Sequence, residues 1–267
     1  MKISRGCISL IIVILFLSLS CTTVVPITGR QQFSILPDYA MLSMSLQQYN
    51  AFLKTNKISS NQEQTQMVKK VGRKIQMAVE QYFTDKNMSY TLRDYKWEFN
   101  LIESKEKNAW AMPGGKVVVY EGILPITKDE AGLAVVMGHE IAHAIAKHGN
   151  ERMSQGLIAQ MGGMALSKAL AEKPEKTRQL WMTVFGVGAQ FGVMLPFSRL
   201  QETEADHLGL IFMAIAGYDP DEAVEVWKRM AQMKEGQTPP KFLSTHPSNE
   251  TRIRKIKETI PKAKQYL

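Results

Sequence analysis

His139-Glu140-Ile141-Ala142-His143 is the stretch on which the reading of this chain turns. On a helix, residues i and i+4 share one face, so both imidazoles point at one place. Neutral imidazole nitrogens are good ligands for Zn2+, at about 2.0–2.1 Å. Glu140, one position on, flanks that place and can take the proton of a water that the metal activates. The neighbours Val135, Val136, Ile141 and Ile145 are apolar. Ionisable groups embedded in such a helix are costly without partners, which argues against histidines that merely fill a core or face solvent.

Two histidines do not complete a catalytic zinc site, which takes three protein ligands and keeps a fourth position open. His148 is a poor third. In the metzincin pattern the third histidine comes ten residues after the first, where Gly149 stands here, and the glycine bend such a site uses is absent, position 146 being Ala. It keeps a role around the site or at the surface. Gln201-Glu202-Thr203-Glu204-Ala205-Asp206 offers a better candidate. Glu202 and Asp206 are four apart on a predicted helix and share a face. Glu202 is expected to bind one Zn2+ per chain, and Asp206 to accept a hydrogen bond from a ligand histidine, fixing its tautomer. Glu204 points elsewhere and is the fallback ligand. Taken alone, this cluster reads equally well as surface acidity.

Working outward, periodicity predicts helices over 38–55 and 61–83, the second with Met67, Val68, Val71, Ile75 and Val79 on one face. Tyr95 to Leu101 alternates as a half-buried strand. Ala109–Met112 and Lys116–Tyr120 flank Pro113-Gly114-Gly115, the chemistry of a type II turn, so a hairpin is expected. Thr127-Lys128-Asp129-Glu130 reads as a capping box for a helix to about Lys147. Further helices are predicted over 199–216, closed by Gly217; after Asp219, with Pro220 at the first helical position; and from Ser248 to Ile260, stopped by Pro261. Gly156–Pro196 is apolar and glycine-rich around a charged Glu172–Arg178, and neither piece reaches the ~20 residues of a spanning helix. Buried or hairpin helices near the active site are expected there, with a membrane-dipping hairpin as the alternative. The sum is an α+β fold, predominantly helical, with a small antiparallel sheet.

Three stretches in this order resemble the family-48 zinc metallopeptidases, the HtpX/LoiP/BepA-like endopeptidases related to the CAAX prenyl proteases. Asn108-Ala109-Trp110-Ala111-Met112-Pro113-Gly114-Gly115 resembles that family's edge strand, His139–His143 its zinc helix, and Glu202-Thr203-Glu204-Ala205-Asp206 its Glu-x-x-Ala-Asp helix, whose first Glu is the ligand. Thr245-His246-Pro247 and Arg252 are similar too, and the likeness covers about residues 60 to 260. It implies a gluzincin-type domain and a zinc endopeptidase that cleaves unfolded or misassembled envelope proteins, with Glu140 as general base. The edge strand has a physical purpose, because a free edge holds an extended substrate through main-chain hydrogen bonds. Asn108, Ala109, Trp110 and Ala111 would do this, the two alanines being small enough to let a backbone approach. His246 could donate to the oxyanion, or cover the open zinc position as a reversible gate as the resemblance implies, or be an ordinary loop residue. Arg252 could support the oxyanion or pair with an acidic group. One competing class is a chaperone-like protein that holds unfolded outer-membrane proteins in the same groove, but a groove that only binds needs no general base. The other is a membrane-embedded protease of the prenyl-processing type, for which the apolar segments are short.

Composition fits an enzyme of this kind. The 267 residues are 45% hydrophobic and 22% charged, which excludes a disordered or multi-span chain. The net charge of +8 is too dispersed to argue for nucleic acid. With only Cys7 and Cys21 there is no disulfide framework. Lys2 and Arg5 precede the uncharged run Ile8–Ser20, which reads as a signal peptide over residues 1–20. Leu17-Ser18-Leu19-Ser20-Cys21 resembles a bacterial lipobox, with Ser18 departing from the usual aliphatic residue. Cys21 would carry the lipid, residues 21–60 the tether and first helix, and 61–267 the metallopeptidase domain. Expected partners are unfolded or misfolded proteins and, through the anchor, a membrane. The expected setting is the periplasmic face of the outer membrane, as the lipoprotein branch of the family implies.

Overall fold

The computed structural model describes residues 22–25, 27–190, 194–233, 241–247 and 250–267; Cys21 and the signal segment lie outside them. In chain order the elements are β1 (Thr22–Val24), β2 (Gln31–Phe33), α1 (Asp38–Thr55), α2 (Gln62–Asp85), β3 (Glu98–Ile102), β4 (Ala109–Met112) and β5 (Lys116–Tyr120). There follow α3 (Leu124–Thr127), α4 (Glu130–Ile145), α5 (His148–Ala169), α6 (Glu175–Ala189), α7 (Leu195–Ile215), α8 (Glu222–Gln232), α9 (Lys241–Thr245) and α10 (Glu250–Ala263). They fall into two compact units, one of residues Met1–Asp38 with Lys147–Pro196, the other of Tyr39–Ala146 with Phe197–Leu267.

In the first unit β1 and β2 pair antiparallel. Arg30 grips both carboxylate oxygens of the buried Glu151 on α5, at 2.8 Å each. Asn150 adds a bond to the Leu36 carbonyl, and Ser154 accepts one from the Ile35 amide. These bonds fasten the N-terminal segment to α5. The apolar stretch after residue 156 forms α5 and α6, as two helices, but not buried ones. None of the residues of α6 is buried, and Leu180, Trp181, Val184 and Val187 are exposed. Among the described residues no helix is long and apolar enough to cross a membrane.

The second unit is built on a three-stranded sheet in the order β3-β5-β4. Its central strand, Lys-Val-Val-Val-Tyr, is buried at every position, which suits a strand covered on both faces. The expected antiparallel hairpin is present as β4 and β5. The sheet as a whole is mixed, because β3 pairs parallel with β5. Gly114, at φ 86°, supplies the positive φ that the turn after Pro113 requires. On one face Tyr49 from α1 packs with Ile102, Val118 and Tyr120. On the other lie α2 and α4; the Phe99 ring is so close to α2 that a Cβ on Gly72 would sit 2.4 Å from it.

Several boundaries differ from expectation. Asp129, not Thr127, caps α4, accepting the Gly132 amide at 2.9 Å. Thr127 instead closes α3, its hydroxyl bonded to the Leu124 carbonyl. Asp219 accepts the Asp221 amide in a turn, and α8 starts only at Glu222. Pro261 lies inside α10 and does not end it. Tyr95 and Trp97 precede β3, their rings tilted against one another at 5.3 Å outside the ladder.

Candidate metal centre

The motif helix α4 is buried from Gly132 to Ile145, so its polar side chains must find partners inside the protein. It crosses α7 where two glycines meet. A Cβ on Gly209 would lie 2.8 Å from the His139 amide nitrogen, and one on Gly138 would lie 3.0 Å from the Gly209 carbonyl oxygen. Only residues without a side chain allow that approach, and it brings Glu202 and Asp206 onto the histidine face of α4.

Four donors converge there. His139 Nε2 and His143 Nε2 are 3.1 Å apart, and Glu202 Oε1 is 3.2 Å from His143. His246 Nδ1 lies 3.2 Å from His139 Nε2 and 2.9 Å from Glu202 Oε1. All four ligand atoms fall within 4.8 Å of one another. A tetrahedron with bonds of about 2.0–2.1 Å has edges near 3.3 Å, so the set fits a single zinc-sized cation. Glu204 is buried but outside this set, and His148 is buried in the other unit.

A second layer holds the first. Asp206 Oδ1 is 2.9 Å from His139 Nδ1, which fixes the tautomer that turns Nε2 toward the cluster. Arg252 takes Asp206 in a two-pronged grip, both bonds 2.8 Å, and reaches Glu202 at 2.9 Å. Its guanidinium stacks on Trp227, 3.5 Å from the ring centroid. Of the two roles considered for Arg252, the pairing with acidic groups is the one realised. Burial and the Arg252 charge both oppose a proton on His139, but Asp206 and Glu202 outweigh them and push its pKa up to about 9. Burial works to raise the Glu202 pKa, yet hydrogen bonds from His139, His143 and His246 hold it well below the carboxylate range. Asp206 is likewise lowered, against burial, chiefly by the Arg252 charge.

Glu140 is buried one residue along, with its Oε1 3.3 Å from His246 Nε2. His246 therefore spans the cluster and the expected base. It follows α9, whose Phe242 ring packs on the His246 imidazole at 4.7 Å. The Phe242 amide donates to the Lys107 carbonyl at 3.1 Å, which ties this segment to the residue before Asn108 and β4. Asn108 itself accepts from the Tyr120 amide. The two glycines, Trp227 and Phe242 were not anticipated. The signal for the glycines was present, since a glycine inside an otherwise good helix asks for a packing reason.

The model of peptidase family M48 matches residues 69–260. The chain belongs to family M48. It is 41% identical over 174 residues to the mitochondrial metalloendopeptidase OMA1 of Schizosaccharomyces pombe, covering 64% of this chain and 49% of that one. To the Saccharomyces cerevisiae protein of the same name it is 34% identical, over 70% of this chain and 54% of that one. To the beta-barrel assembly-enhancing protease of Escherichia coli it is 30% identical, over 59% and 33%. The chain spans about half the length of the first two. These names agree with the expected enzyme class and with a family M48 zincin fold. They correct the expected setting. The fungal relatives, at higher identity, are mitochondrial proteins, so the periplasmic outer-membrane assignment drawn from the leader does not stand.

Proposed function

We propose that this family M48 chain is a zinc-dependent endopeptidase that cleaves unfolded or misassembled proteins in quality control. The observation that carries the reading is the convergence of His139, His143 and Glu202, at 3.1–3.4 Å, with Glu140 buried beside them. His139, His143 and Glu202 would hold the ion, which when bound supplies Lewis acidity toward a peptide carbonyl and the attacking water. Glu140 takes the proton of that water and passes it to the leaving amine. Asp206 and Arg252 keep His139 and Glu202 in place. Ala109 and Ala111 hold the substrate extended along the β4 edge. His246 covers the fourth side of the cluster, where it either gates substrate entry or donates to the oxyanion. The names of the bacterial relatives, which are proteases that enhance β-barrel assembly, support a substrate of this class.

The test pairs metal analysis with digestion of unfolded casein. Glu140→Gln should retain stoichiometric zinc and lose about 10²–10⁴-fold in rate. Full activity in that variant, with contaminating protease excluded, would overturn the mechanism. A chelator should abolish wild-type activity and added zinc restore it.

A further inference from the structure

The free edge of β4 carries more than backbone. Its register pairs Ala109 with Val119, Trp110 with Val118, Ala111 with Val117 and Met112 with Lys116, and the Tyr120 amide bonds to the Asn108 carbonyl. Hydrogen-bonded and non-bonded pairs alternate along an antiparallel ladder. Asn108, Trp110 and Met112 therefore spend their main-chain groups on β5, while those of Ala109 and Ala111 point outward. Among the described residues no strand lies on that side.

Side chains alternate too. Ala109 and Ala111 lie on the sheet face that carries α4. Trp110 and Met112 lie on the opposite face, with Tyr49 and Phe52 of α1. The Trp110 ring meets Phe52 edge-on at 5.0 Å and Tyr49 at 6.3 Å, and its indole N–H donates to the Tyr120 hydroxyl at 3.3 Å. Trp110, Met112 and Phe52 are all only partly buried. The result is a rigid aromatic shelf directly under the open edge.

We propose that this shelf makes Trp110, backed by Phe52, a specificity-determining residue that selects a large apolar side chain on the substrate. The inference rests on the peptidase reading above and names the substrate class for it: extended segments with a bulky apolar residue between the two that bond to Ala109 and Ala111. A chain laid antiparallel along β4 puts that residue on the Trp110 face. It stands there in a non-hydrogen-bonded pair, where side chains approach most closely. Main-chain bonds alone would accept any sequence, whereas the shelf adds a preference at one position and, by alternation, two residues on beside Met112.

The test walks a single Phe through a ten-residue Ser/Thr/Lys peptide. Binding to zinc-loaded Glu140→Gln protein is read by fluorescence anisotropy, and cleavage by wild type as kcat/KM. Phe at one position should improve both by about 5- to 50-fold over Ser. Trp110→Ala should flatten that ratio to about twofold or less. Trp110→Phe should keep most of it. Phe52→Ala, which thins the shelf from α1 without touching the strand, should lower it too. A ratio that survives both alanine variants overturns the proposal, as does cleavage with no preferred position; in the latter case the peptidase reading stands. Position-dependent binding that Trp110→Ala abolishes, without any cleavage by wild type, supports the shelf and sinks the peptidase reading. Neither binding nor cleavage sinks both.

Discussion

At the scale of single residues, the centre shows how little freedom each donor has. His246 touches Glu202, His139 and Glu140 through its two ring nitrogens. If it guards the cluster, His246→Ala should raise the initial rate on an unfolded substrate at saturating zinc and weaken zinc retention modestly. If it serves the oxyanion, the same change should lower kcat by ~10²–10³. One rate comparison separates the two, and an unchanged rate discards both. Arg252 is bound to Asp206, Glu202 and the Trp227 face together. Arg252→Lys keeps the charge but loses the planar fork, so zinc affinity should drop about 10- to 100-fold, measured by competition with a chromophoric chelator. Unaltered affinity would mean that Asp206 orients His139 unaided.

Among the elements, the crossing of α4 and α7 sets the distance between the two halves of the centre. Gly209→Ala should cost about 1–3 kcal/mol through overpacking, and should loosen zinc as His139 and Glu202 move apart. Gly156 is a fair contrast, a glycine inside α5 with nothing within 4 Å of its missing Cβ. Gly156→Ala should gain about 0.5–1 kcal/mol from helix propensity alone. Urea melts of both variants check the pair, and equal effects would remove the crossing argument. Local pattern made much of this legible. The helix over 38–55, the Pro113-Gly114-Gly115 hairpin and the His139–His143 face all follow from spacing within a few residues. Less legible was whatever depends on a distant partner. Thr127 and Asp129 both had capping chemistry, and only the packing of α3 decides between them. Pro261 survives inside α10 because its helix face is held by buried Ile256, Ile260 and Ala263. The parallel pairing of β3 with β5 is a matter of which strand takes the centre, and alternation in one strand says nothing about that. Arg252 was visible as a charge, but its stacking on Trp227 joins two helices that no local motif connects.

For the molecule as a whole, the centre joins segments far apart in the chain: His143 and Glu202 stand on either side of residues 147–196, which belong to the other unit. Without a cation, the second unit holds buried Glu202 and Asp206 beside three crowded imidazoles, so zinc should act as a folding ligand. At a thousandfold excess over Kd it adds about 4 kcal/mol, or roughly 8–16 °C in Tm for a unit of this size. Calorimetry with and without chelator reads this directly, and an unmoved transition would mean that the cluster is not a structural cation site. The edge strand has a consequence on the side of the client. β4 has four residues, about 13 Å of extended chain, and offers outward main-chain groups from two of them. So short a grip cannot pull a folded protein apart. On the proposed reading, the enzyme waits for a client to open by itself, and the rate of cutting follows how often a short stretch comes loose. Each ~1.4 kcal/mol of local stability in the client then slows its destruction tenfold, which makes the strand a gauge of its clients' folding free energy.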